Sequence, residues 1–210
     1  MSSKNVIPAS SAQFIGYSAD KNLGTTHVLH NFTGHGTIRF LNGDSYEGSF
    51  ANGKRDGNGK YWFKSGGYYE GHYNQGQRSG IGILKLFENS FYAGNFLFGQ
   101  KYGKGTQKYT NGDTYFGEWK DGKRHGEGVY IFSCGYEQLV GQWNAGDFSE
   151  GKWVINDAMQ YIGKFKFNEP HGEGKWTFGN GAVIGRSPRE NTFLGRPHER
   201  ESYYEIEALK

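Results

Sequence analysis

Along most of the chain, aromatic or small residues alternate with polar ones at a period of two. In Tyr115-Phe116-Gly117-Glu118-Trp119 the first, third and fifth residues share one face and Phe116 and Glu118 take the other; Gly126, Gly128, Tyr130 and Phe132 continue the alternation. That period marks a β-strand. Between such stretches stand Lys120-Asp121-Gly122-Lys123 and Ser133-Cys134-Gly135, each carrying the glycine that tight turns use for positive φ. Each stretch is therefore one arm of a hairpin, and hairpin follows hairpin.

The hairpins repeat. Tyr46-Glu47-Gly48-Ser49-Phe50 returns as Tyr69-Glu70-Gly71-His72-Tyr73 and as Tyr92-Ala93-Gly94-Asn95-Phe96, at a spacing of 23 residues, and a fixed period of this length signals a repeat array. Units begin at Tyr46, Tyr69, Tyr92, Tyr115, Leu139 and Tyr161; one inserted and one deleted residue change the last two spacings to 24 and 22. The second strands hold the same register. Two residues beyond the second glycine come Ile38, Tyr61, Leu84, Gln107, Tyr130, Trp153 and Trp176; four beyond come Phe40, Phe63, Leu86, Tyr109, Phe132, Ile155 and Phe178. Only Gln107 interrupts the apolar columns. In the unit of Leu139, Gly151 takes the second-glycine role and Glu150 is expected where the first would stand.

A lone hairpin is marginal in water, and the repeats show no helical period to cover a sheet, so stability must come from stacking. Two strands per unit advance such an array by about 10 Å. The expected fold is all-β: an elongated single-layer antiparallel β-meander of about six to seven hairpin repeats over residues 34–185. Residues 1–33 read as an N-terminal arm or divergent cap, with Phe14-Ile15-Gly16 resembling a unit start, and 186–210 as a docking tail whose Tyr203, Tyr204, Ile206 and Leu209 suit a short amphipathic helix or a frayed end. Missing side chains at Gly48, in Gly57-x-Gly59 and at Gly126 are expected to leave room for rings, so that aromatic ladders replace a second layer.

Composition narrows the classes. Thirty-five glycines without a triplet period exclude collagen, and 17% aromatic residues argue against simple disorder. A net charge of +3 is too small to imply nucleic acid on its own, and no nucleic acid is expected as a partner. Cys134, the single cysteine, fits a reducing compartment. No signal-like apolar run follows Met1 and no 18 consecutive residues are apolar, so a soluble protein of the cytoplasm is expected.

Catalysis, metal and cofactors are not expected. His35, His125 and His171 recur at one position of separate units instead of converging, and no HExxH or Cys/His spacing is present. Every G-x-G lies inside a strand without a phosphate-loop context, and Ser79 and Ser133 lack a nucleophile elbow.

The segment from Tyr115 to Gly128, with its Tyr-Phe-Gly-Glu-Trp-Lys-Asp-Gly-Lys-Arg-His-Gly-Glu-Gly run, resembles the MORN repeat (membrane occupation and recognition nexus). The resemblance extends over about residues 34–185 and implies side-by-side hairpins used as scaffolds and adaptors without a catalytic centre. Val140-Gly141-Gln142-Trp143 through Tyr161–Phe165 and Asn168–Phe178 is similar to the end of the MORN arrays in radial spoke head proteins of cilia and flagella. That finer resemblance implies an axonemal structural subunit whose partners are other spoke subunits, with self-association also open.

Two surfaces qualify as sites. Tyr46, Phe50, Tyr69, Tyr73, Tyr115 and Trp119 are expected in the middle of an aromatic partner-binding face. Lys54, Arg55, Arg78, Lys101, Lys123 and Arg124 occupy corresponding turns and are expected to line one long edge, which gives the rival function of a membrane-associated scaffold reading anionic phosphoinositides. A solvated edge that resists aggregation accounts for the same row, and an acidic protein partner is the third reading of it.

Overall fold

The computed structural model describes residues 12–18, 21–26 and 31–186. Every regular element among them is a β-strand, and all sixteen strands belong to one antiparallel sheet. The fourteen strands from Gly34–Phe40 to Val183–Arg186 are bonded to one another in chain order, so the expected single-layer meander is the fold. At the N-terminal end the order reverses. Strand β1 (Ala12–Ser18) pairs with β3 (Gly34–Phe40), setting Gly16 opposite Gly36, and β2 (Lys21–Thr26) lies on the far side of β1. The tail expected beyond Arg186 and residues 1–11 of the N-terminal arm fall outside the described residues.

Glycine sets the register. Gly48 faces Gly36 on one side and Gly59 on the other, and the same pairing continues through Gly71–Gly82, Gly94–Gly105, Gly117–Gly128, Gly141–Gly151 and Gly163–Gly174. At the hairpin tips both central residues have positive φ, as at Asn52-Gly53 (50° and 77°) and Asp121-Gly122 (51° and 76°). This is the type I′ pattern, whose twist matches that of the flanking strands.

The G-x-G pair contains two physically different glycines, which corrects the expectation that both make room for rings. In strand Lys123–Ile131, Gly128 faces Gly117, but the next pair on the neighbouring strand is Glu118 with His125, so Gly126 and Glu127 form a bulge. Gly126 has φ +57°, and a Cβ there would meet first the flexible end of the Glu118 side chain. It is a backbone glycine. A Cβ on Gly117 or Gly128 would instead lie 2.6 Å from Cζ of Tyr115. The same division separates Gly57 (φ +88°, facing Ser49) from Gly48 and Gly59 beneath Tyr46. In strand Asp147–Asn156, Glu150 pairs with Gln142 and Lys164, which is the middle position of the motif. The backbone glycine is therefore deleted there, not replaced by Glu150, and the bulge is one residue shorter.

One face of the sheet makes its own core. Tyr46, Tyr69, Tyr92 and Tyr115 are at most 1% exposed. Each hydroxyl donates to the main-chain oxygen three residues on, at Ser49, His72, Asn95 and Glu118 (2.9–3.0 Å), so each ring arches over its own glycine. Each also meets two rings edge-on. Tyr115 contacts Trp119 of its own strand and Trp143 of the next unit, both at 5.2 Å; Tyr46, Tyr69 and Tyr92 repeat the arrangement. Such T-shaped pairs contribute about 0.5–1.5 kcal/mol each beyond area burial. Leu139 interrupts the ladder, Phe148 bridges the gap by packing on Trp143 (5.1 Å) and Phe165 (4.6 Å), and Tyr161 resumes it edge-on to Phe165.

Candidate interaction surfaces

Tyr46, Phe50, Tyr69, Tyr73, Tyr115 and Trp119, expected on an open partner-binding face, are core residues, none more than 5% exposed. This is a correction with a simple cause: the paired ring-space glycines let each tyrosine lie against bare backbone, where neighbouring rings close over it. A single sheet can then bury its aromatics without a second layer.

The basic row also divides. Lys54 and Lys123 are exposed near hairpin tips, and Lys54 donates to Gln75 Oε1 at 3.2 Å. Arg55, Arg78, Lys101 and Arg124 are half-buried on the ring face, so the continuous exposed edge is not formed. The Arg55 guanidinium carbon lies 4.9 Å from the Tyr73 centroid, that of Arg124 lies 4.3 Å from Trp143, and Lys101 Nζ lies 4.6 Å from Trp119. Cations over aromatic faces gain electrostatic attraction that offsets part of their lost hydration.

These cations also join successive units. The Arg55 side chain donates to Gly76 O (2.8 Å) while its carbonyl accepts the Gly76 amide; Arg78 makes the same pair of bonds to Gly99, and Arg124 to Gly146. Lys101 accepts from the Gly122 amide through its carbonyl and donates its ammonium to Gln107, the residue that breaks the second-strand apolar column. Burial, with the nearby Arg78 charge, lowers the Lys101 amine to about 8. Elsewhere in the array the place is filled by uncharged groups: Phe32 accepts the corresponding Gly53 amide, and Phe148 and Pro170 occupy the corresponding register positions.

The hairpin side opposite the cations is latched by carboxylates. Asp113 is buried and accepts from Tyr130 Oη, from the Ser133 amide (2.8 Å) and from Asn111 (2.7 Å). Asp44 repeats this with Tyr61, Lys64 and Asn42, and the Tyr61 bond is the leading reason its carboxyl is held below the usual carboxylate range. Among the described residues, no three His, Cys, Asp or Glu side chains gather as a metal site.

The opposite face is the open one. Cross-strand pairing places Ile83, Ala93, Thr106, Phe116, Val129 and Val140 in one unbroken row over six strands. At about 4.8 Å per strand the row is roughly 24 Å long. Ile83, Phe116 and Val140 are 36–46% exposed. Beside the row runs a trough of about 740 Å³ with glycine backbone as its floor and Lys104, Glu118, Glu127 and Gln142 on the far wall. Toward the N-terminal end the row becomes polar, with Glu47, Lys60 and Glu70, of which Lys60 and Glu70 form an ion pair at 2.8 Å.

The apolar band is absent from the sites expected from sequence, although its signal is present. It occupies the variable position of Tyr-x-Gly, which reads Glu47, Glu70, Ala93, Phe116, Val140 and Ile162 in successive units. The change from charged to apolar along a solvent-facing column distinguishes a surface from a scaffold position.

Comparison with known families agrees with this geometry. The MORN repeat model matches residues 46–68, 69–86, 92–114, 115–133 and 161–183, together half of the chain. No curated protein matches the sequence.

Proposed function

The chain belongs to the MORN repeat family, whose repeats are non-enzymatic scaffold modules that bind protein or membrane, and we propose that it is a non-catalytic structural subunit holding protein partners against its outer apolar band. The observation that carries this is the exposed row from Ile83 to Val140 on the face that the chain does not use for its own core. Contiguous exposed apolar surface flanked by polar groups is characteristic of protein contact. The assembly we propose is the radial spoke head of a ciliary or flagellar axoneme, with other spoke subunits as partners. Its support is the likeness of Val140–Phe178 to the end of spoke head arrays. The rival, a scaffold on phosphoinositide membranes, relied on a continuous basic edge; with four of its six cations turned onto rings, protein partners are favoured.

Fractionation tests the proposal. The chain is expected in isolated axonemes at fixed stoichiometry to spoke subunits, and Phe116→Lys, at a half-exposed site, should leave its thermal midpoint unchanged and abolish that association. Recovery with membranes, together with salt-sensitive flotation on phosphoinositide vesicles lost on replacing Lys54 and Lys123 by alanine, would establish the rival.

A further inference from the structure

The ring face has a charge pattern that its packing role does not require. Arg55, Arg78, Lys101 and Arg124 form a column through four successive units, and none has a carboxylate within ion-pair distance among the described residues. The ion pairs present there, His35–Glu47 and Lys60–Glu70, lie on the outer face. So do the strand carboxylates Glu118, Glu127 and Glu150, by their register, whereas Asp44 and Asp113 of the ring face are engaged by the hydroxyls of Tyr61 and Tyr130. Aromatic faces and glycine carbonyls hold the cations in place, yet a guanidinium has five N–H donors, and Arg55 and Arg78 each use one nitrogen on a carbonyl. Both arginines line an open cleft of about 370 Å³, walled by Tyr61, Tyr69, Tyr73 and Phe98. Lys101 lines a second cleft, beside Tyr92 and Gln107.

We propose that this column is a docking track for an acidic, extended segment of a partner protein, whose carboxylates enter the inter-unit clefts and bond the free donors of Arg55, Arg78, Lys101 and Arg124. The partner's chemistry follows from complementarity: half-buried cations without an ion-pair partner favour anions, and planar guanidinium groups favour carboxylates held through paired bonds. A lipid surface fits less well, because the charges are recessed between rings while Lys54 and Lys123 are the ones projecting at the tips. Spacing adds a constraint. Successive cations belong to units two strands apart, about 10 Å, and a polyproline II segment rises about 3.1 Å per residue with three residues per turn, so an acidic residue at every third position keeps its carboxylates on one side and matches the track. This inference rests on the scaffold function proposed above and specifies a second contact of that scaffold.

The test is fluorescence anisotropy of the full chain with three labelled peptides of equal length: Asp at every third residue among Gly and Ser, the same composition with the Asp residues clustered, and Lys in place of Asp. The periodic acidic peptide is expected to bind, to weaken with salt, and to exceed the clustered peptide in affinity by about tenfold, the scale of one charge-assisted hydrogen bond. Arg78→Gln should cost a similar factor and Arg78→Lys less. Should Arg78→Gln fail to fold, the spacing preference of the unmodified chain still decides. Equal affinity for periodic and clustered peptides, or loss of binding on replacing Lys54 and Lys123 by Gln, overturns the track. Flotation on phosphoinositide vesicles that requires Arg78 would assign the clefts to a lipid headgroup and likewise overturn it. Absence of peptide binding with Phe116-dependent axonemal association intact removes this inference alone; loss of both removes the scaffold function as well.

Discussion

Gly128→Ala is expected to destabilise the array far more than Gly126→Ala, although the two glycines stand in one G-x-G. A Cβ at Gly128 would lie 2.6 Å from Cζ and Cε2 of Tyr115, and that ring has no free direction. It is fully buried, held edge-on by Trp119 and Trp143, and bonded through its hydroxyl to Glu118 O. The methyl must expel the ring or separate the strands, a loss of about 3–5 kcal/mol on the scale of overpacking and lost aromatic burial. A Cβ at Gly126 meets only the Glu118 side chain, whose carboxylate end can swing away, so alanine there bears mainly the left-handed backbone strain, about 1–2 kcal/mol. Urea denaturation followed by tryptophan fluorescence compares them. Equal losses, or a larger one at Gly126, would mean that the ring-space glycine does not have the role assigned to it.

The second large effect is alkaline unfolding. Burial is the leading cause that raises the phenols of the ring face: Tyr61, Tyr73 and Tyr92 are pushed up to about 12, and Tyr46, Tyr69, Tyr115 and Tyr130 are raised further. Their ordinary value is 10.0. Above that pH the unfolded chain releases phenolic protons that the folded chain keeps, so the stability these groups provide is complete below about pH 10 and is lost as pH rises through about 12. Lys101 has the opposite sign. With its folded value lowered to about 8 from 10.5, it adds stability as pH climbs through that window, but it is one group against those seven phenols and Tyr109, which burial also raises. Tyrosinate absorbance and the loss of strand circular dichroism should therefore coincide in one steep transition above pH 10. Smooth phenol titration near 10 with the sheet intact would show that the rings are accessible.

The sheet was legible because strand and repeat periods are backbone properties: alternation gave the strands, and the spacing of 23 residues gave the pairing order. The ring ladder was legible as well. The sidedness was not, for reasons visible in single residues. Tyr115 and Phe116 are adjacent and both aromatic, yet one is fully buried and the other 46% exposed. What separates them is the direction of the missing Cβ at Gly117 and Gly128, a three-dimensional property that the letter does not carry. Gly126 and Gly128 share a letter while one serves the backbone and the other a ring. Arg78 reads as a surface charge because arginine usually is one; its place on Phe96, 5.3 Å from the centroid, depends on a bulge that brings Arg78 opposite Tyr73 and turns the side chain toward the next unit. The shortened bulge at Ser149 was masked because one deletion admits two alignments, and only the pairing of Glu150 with Gln142 chooses between them.

The division of labour between the faces, with the ring face as core and the apolar band as contact, is tested most directly by hydroxyl-radical footprinting of the chain alone and in its native assembly. Tyr46, Tyr69, Tyr92 and Tyr115 should resist oxidation in both states, whereas Phe116 should be oxidised in the free chain and protected in the assembly. Rapid oxidation of those four tyrosines in the free chain, or a Phe116 rate that assembly leaves unchanged, would contradict it.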